Sequence, residues 1–189
     1  MRPRPIWLLC LLIAACKSTD KQAPQAPTPS EQPLQSATYS TSFGAGLDSL
    51  IQAYSALSFS LNKNDTTGGV PFLAKLDALP LDEFKKDTLI YKTAVQQIGD
   101  TRTELLGLLG EKTLEGKRQE LNMVSQDMYD LLRTLHYTQK MLYVVECSSA
   151  FGEDKPGVWI SLTSDTNALQ NPYGTGHCGQ IKDSLPGHP

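Results

Sequence analysis

The residues with the most chemical scope in this chain are soft donors near its C-terminal end. Cys147 and Cys178 flank a stretch rich in glycine and proline, and His177 stands beside the second of them. Thiolates with an imidazole suit a soft metal ion, two thiols alone suit a disulfide, and one activated thiol suits exchange chemistry. No CxxC pair strengthens the metal reading, and no basic neighbour is evident that would activate a thiol. The familiar catalytic patterns are missing from the sequence. No histidine stands in a recognisable arrangement with a nucleophile, there is no HExxH, and Gly174-Thr175-Gly176 is too short for a phosphate loop and lacks the Lys-Ser/Thr that should follow one. The chain therefore reads as a non-enzyme, with His136 a helix-end residue and His188 a tail residue.

The other two cysteines lie at the start. A short basic head, Met1-Arg2-Pro3-Arg4, precedes an apolar run from Ile6 to Ala15. At about ten residues the run is a signal-peptide core, too short to cross a bilayer as a helix. Ile13-Ala14-Ala15-Cys16 then resembles the lipobox of bacterial lipoproteins. That resemblance implies removal of residues 1–15, Cys10 included, and diacylation of Cys16 as the new first residue. The alternative is an ordinary secretory signal that happens to abut a cysteine. Two or three acyl chains hold a membrane far better than one, so such a lipid suffices as an anchor. Lys17 in place of Asp implies, by the enterobacterial sorting rule, passage to the outer membrane, without choosing the periplasmic or the cell-surface side. Residues 16–42 contain four prolines between Pro24 and Pro33, many glutamines and few aliphatic side chains, the composition of a disordered tether.

Lys plus Arg number 17 against 20 Asp plus Glu, a net charge of −3 that becomes −5 when Arg2 and Arg4 leave with the signal. An acidic chain does not invite a nucleic-acid backbone. Apolar residues at 40% allow a core, and the length beyond the tether fits one domain, residues 43–189.

From Gly44 the apolar residues recur at helical spacing: Leu47, Leu50, Ile51, Tyr54, Leu57 and Leu61 share a stripe. Pro71 is placed to open a short second helix, and Pro80 to stop it. A third helix runs from Leu81 to Ile98. Thr101-x-x-Glu104 either restarts the chain as a capping box or merely continues that helix. Residues 113–135 form the clearest helix, with Leu121, Val124, Met128, Leu131 and Leu132 on one face. Met123, Met128 and Met141 read as core filling, and Arg118 with Glu120 as a solvated face. Beyond His136 the segments 141–146 and 158–161 are β-prone among turns. The expected fold is mainly α: an antiparallel helical bundle with a loop-rich C-terminal segment holding one or two short β-strands.

Cys147-x-x-Ala150, Trp159-Ile160-Ser161, Asn171-Pro172-Tyr173-Gly174 and Cys178-Gly179 recur in that order. Together they resemble the tail of an exported bacterial family, the domain of unknown function numbered 3347, found in lipoproteins and fused to the adaptor subunits of heavy-metal efflux pumps. Arg118, Leu121 and Ser125 match the spacing of the family's preceding helix, so the resemblance spans about residues 44 to 182. It implies a membrane-anchored accessory or binding module linked to heavy-metal handling, with an envelope or efflux-system protein as partner. The chain departs from the pattern where Ser148-Ser149 replace Pro-Met after the first cysteine and where Thr175-Gly176-His177 lacks a second methionine. Two Cys and two Met would make a copper(I) or silver(I) site, and here both thioethers are gone. Three readings of the thiols stand: a Cys147–Cys178 disulfide suited to an oxidising envelope, a copper or silver site of Cys147, His177 and Cys178, or free thiols.

Overall fold

Ser40 opens the first helix by accepting the Phe43 N–H on its Oγ at 3.2 Å, which satisfies one of the donors a helix start leaves unpaired. The computed structural model describes residues 39–174 and 176–185. The signal, Cys16, the tether through residue 38, Thr175 and His188 lie outside them. Helix α1 (Thr41–Asn62) is followed by α2 (Gly69–Asp77), a 3-10 turn at Asp82–Phe84, α3 (Thr88–Gly110) and α4 (Leu114–Thr134). Three strands complete the chain: β1 (Leu142–Cys147), β2 (Gly157–Ser161) and β3 (Gln180–Leu185). The fold is mainly helical with a small antiparallel sheet, and α3 packs on α4, α1 on α2, and α4 on β2.

The periodic positions of α1 are its buried ones, from Phe43 and Leu47 through Tyr54 to Leu61. Two helices stop in the same way, with a non-glycine residue in the left-handed region. Asn64 (φ 57°) follows α1, and the Asp65 N–H reaches Ser60 O at 3.0 Å. His136 (φ 53°) follows α4, and the Tyr137 N–H reaches Leu132 O at 2.9 Å. These are Schellman closures, which recapture carbonyls orphaned at a helix end. The second helix starts at Gly69 rather than at Pro71. A side chain at Gly68 would stand 2.8 Å from the Leu57 backbone, so only glycine lets the turn before α2 press against α1.

Thr101 does not cap a new helix. Its Oγ1 donates to Gln97 O at 2.7 Å within an unbroken α3, whose start is capped instead by Asp87 through the Leu89 and Ile90 amides. Of the three methionines expected in the core, Met128 is buried, whereas Met123 and Met141 are exposed because they fall outside the buried stripe of α4 or before β1. Strand β1 is central in the order β2-β1-β3, with Val145 opposite Trp159 on one side and Ile181 on the other. Strand β3 was not foreseen. Its burial is confined to Leu185, so Gln180–Leu185 shows none of the alternation that marks a half-buried strand. Its pairing with β1 is broken by an irregularity between Val144 and Val145, and it carries Lys182, paired to Glu146 at 3.0 Å, and Asp183, which accepts from Tyr129.

The α3–α4 contact contains a seam of acids. Glu120 sits over Gly107, where a Cβ would come within 3.0 Å of its Oε2. Burial, a hydrogen bond with Glu104, and the charges of Glu104 and Glu111 raise the Glu120 carboxyl above its usual range. Burial first, then Asp100, Glu104 and Asp130, push Asp127 up to about 6. Glu120 is therefore only partly solvated, since α4 sets it beside Gly107 of the neighbouring helix. A carboxyl whose pKa is higher in the folded than in the unfolded chain stabilises the fold fully below the usual value near 4, and that stabilisation is lost as pH rises through about 6. Asp127→Asn should accordingly raise the melting temperature at pH 7.5 and lose its advantage as pH falls toward 4. A difference independent of pH, measured by thermal denaturation across that range, would remove the seam from this account.

Candidate functional site: a cystine-braced sheet and two grooves

Cys147 ends β1 and Cys178 lies just before β3, so pairing of those strands carries the two sulfurs together. They form a disulfide with the Cα atoms 5.2 Å apart, within the range such bonds need. The bond closes a loop of separation 31, which on the chain-entropy model stabilises the fold by about 3 to 4 kcal/mol. Of the three thiol readings the structure has the disulfide. In this state the sulfurs are committed to one another, His177 is exposed beside them, and among the described residues no three His, Cys, Asp or Glu side chains gather as a metal site. A copper or silver site of Cys147, His177 and Cys178 therefore requires reduction first.

The separated tail motifs converge on β2. The Tyr173 ring meets Trp159 edge-on at 5.9 Å and Phe151 at 5.1 Å, and its hydroxyl donates to Val158 O. Burial raises the Tyr173 phenol well above its normal value. The turn that delivers Tyr173 is made by Asn171, whose Oδ1 accepts the Tyr173 N–H at 2.9 Å. Next comes Gly174 (φ +69°), where a Cβ would lie 2.3 Å from Arg118 Nη2. Arg118 is thus packed against the tail and half-buried, its Nε buried without a hydrogen-bond partner among the described residues, and not on a fully solvated face as its sequence neighbours suggested. The residues that carried the family resemblance, on α4 and in the tail, touch one another.

A buried hydroxyl chain joins three elements behind this cluster. The Ile160 N–H donates to Tyr54 Oη at 3.1 Å, Tyr54 Oη lies 2.6 Å from Ser125 Oγ, and Ser125 Oγ donates to Leu121 O at 2.7 Å. With Tyr54 donating to Ser125, each group has a partner and the protons run in one direction from β2 through α1 to α4. Burial pushes the Tyr54 phenol up to about 12, against the lowering effect of its Ser125 and Ile160 hydrogen bonds. One residue pair away, the Val158 N–H donates to Asn122 Oδ1 at 2.8 Å. The outward amides of β2, a ready template for strand addition, are in this way capped by side chains of α1 and α4.

Two grooves flank β2. One of about 480 Å³ lies between α1 and β2 with the loop beyond it, bordered by Gln52, Ser58, Phe59, Leu162 and Gln170 among others. The second, of about 400 Å³, lies between α4 and β2 and includes Asn122, Tyr129 and Asp130. Trp159 and Ile160 belong to both. In the first groove Ser58 borders the space and is only 5% exposed. Neither groove was legible in the sequence, because the first joins residues about a hundred positions apart and the second joins a helix to strands about fifteen to forty positions further on. The nearest signal was Phe59, an aromatic residue off the apolar stripe of α1 and 43% exposed.

No protein-family model, curated protein or solved structure matches the chain.

Two changes separate the braces. Tyr54→Phe keeps the ring but strands the Ile160 N–H, and should cost about 1 to 3 kcal/mol in denaturant unfolding. Cys147→Ala with Cys178→Ala should cost about 3 to 4 kcal/mol while the helical circular-dichroism signal persists below the transition. A neutral Tyr54→Phe would mean that the hydroxyl chain does not hold β2.

Proposed function

We propose that this chain is a lipid-anchored envelope protein whose folded domain binds a ligand in the groove between α1 and β2. The observation that carries the binding reading is that groove of about 480 Å³, with the hydroxyl-bearing and nearly buried Ser58 in its wall and the Phe59 ring at its margin. A concave site with apolar surface and a few unsatisfied polar groups is the usual form of a small-molecule site. The walls are stiff, since β2 is tied to both helices by the hydroxyl chain and braced from behind by the cystine. We read the helices as an antiparallel bundle that supports the sheet.

The anchor rests on Ile13-Ala14-Ala15-Cys16 and on the proline-rich stretch that follows, and Lys17 favours the outer membrane. Among the described residues no helix is long and apolar enough to cross a membrane, so attachment falls to the lipid in this reading. The link to heavy-metal handling, and an envelope or efflux-system protein as partner, rest on the family resemblance alone. Direct binding of copper or silver is the lesser reading, because the cystine must open before Cys147 and Cys178 can ligate.

Replacing Cys16 by Ser in the full-length chain, expressed in a bacterium that processes lipoproteins, should abolish incorporation of labelled fatty acid and move the protein out of the detergent phase. Unchanged labelling would overturn the anchor.

A further inference from the structure

We propose that the groove between α1 and β2 receives an uncharged saccharide segment. This rests on the binding reading above and names its ligand class. Among the described residues lining the groove none is charged, in a chain where one residue in five is Asp, Glu, Lys or Arg. A charged ligand would therefore find no ionic partner in the lining itself, with Lys63 beside it lying over the Phe59 ring at the margin. The polar groups present are amides and hydroxyls: Gln52, Ser55, Ser58 and Gln170. These groups donate and accept alike, which is what a ring of hydroxyls requires. A purely hydrocarbon ligand would offer them no hydrogen-bond partner.

The apolar part of the groove matches the remaining face of a sugar. Phe59 is 43% exposed and Leu162 is 41% exposed, and both border the groove, so the C–H face of a pyranose can rest where its hydroxyl edge meets the glutamines. Lys63 Nζ lies over one face of the Phe59 ring, 4.6 Å from its centroid, so the sugar must use the other face. Along α1 the wall runs from Gln52 to Phe59, about 10 Å of helix, enough for about two sugar rings. An extended peptide is the competing neutral ligand, and it gains affinity by pairing with a strand edge. That edge is occupied here: the Val158 and Ile160 amides already donate to Asn122 and Tyr54.

The test is calorimetric titration of the full-length, processed protein in detergent with N,N′-diacetylchitobiose and with cellobiose, with Trp159 emission as a second readout. At least one sugar should saturate below ~10 mM, a level at which a site with Kd near 1 mM is mostly filled. Phe59→Ala, and separately Gln52→Ala with Gln170→Ala, should each weaken that binding at least tenfold. Both variants change exposed side chains, and circular dichroism confirms their fold. Failure of both sugars to saturate, or binding unaffected by both variants, overturns the proposal. If an acetyl- and amide-capped Ala-Ser-Ala-Gln peptide binds instead and Phe59→Ala abolishes it, the saccharide is wrong while the binding reading survives. If neither sugar, nor the peptide, nor the uncharged dye N-phenyl-1-naphthylamine binds, the binding reading falls with it.

Discussion

The contact on which the rest of this domain depends is the tyrosine hydroxyl that meets the backbone of β2. Tyr54 reaches out of α1 and accepts the Ile160 amide, then passes its own proton toward Ser125 of α4. A buried N–H left alone costs more than a hydrogen bond ordinarily contributes, so the position of the sheet against the helices is constrained at that point. Asn122 repeats the arrangement at Val158. Between them these two side chains convert the outer edge of a small sheet into an interior surface. The grooves on either side of β2 exist because the strand is held at two amides and not covered along its whole length.

The two sheet edges are protected by different physics. The β2 edge is satisfied by neutral side chains from helices, which take up the Val158 and Ile160 amides. The β3 edge faces water and relies on charge, with Lys182 paired to Glu146, and on a break in register near Val144. The tail cluster of Tyr173, Trp159 and Phe151 sits between, and the cystine ties the end of β1 to the approach to β3.

Much of the helical half was legible in the sequence, because a face buried along a helix repeats every 3.6 residues and Leu47 through Leu61 or Leu121 through Leu132 do so without interruption. Helix ends were harder. Asn64 and His136 adopt the left-handed conformation that glycine would advertise, and Thr101 bonds back to Gln97 inside a continuous helix where its spacing to Glu104 suggested a cap. Strand β3 was invisible since pairing, not burial, defines it. The disulfide was one of three open readings, because chemistry named Cys147 and Cys178 but only the pairing of β1 with β3 brings them together. Arg118 and Glu120 looked solvated, and each is partly covered where it meets a glycine opposite it, Gly174 or Gly107. Contacts made across long sequence separations leave no local periodicity, which is why Ser58 and Asn122 drew no attention and Tyr54 was read only as one more member of the apolar stripe of α1.

The placement of the cystine also bears on how the protein matures. The helices precede it in the chain, so they can form while the last strand is still being delivered, and the sheet cannot close until residue 185 has arrived. No other cysteine stands between Cys147 and Cys178 or among the described residues before them. With Cys10 removed and Cys16 acylated, as proposed above, a thiol oxidase that joins cysteines in order of emergence makes the native bond on its first attempt. Assembly of this domain thus calls for an electron acceptor, and gives a disulfide isomerase nothing to correct.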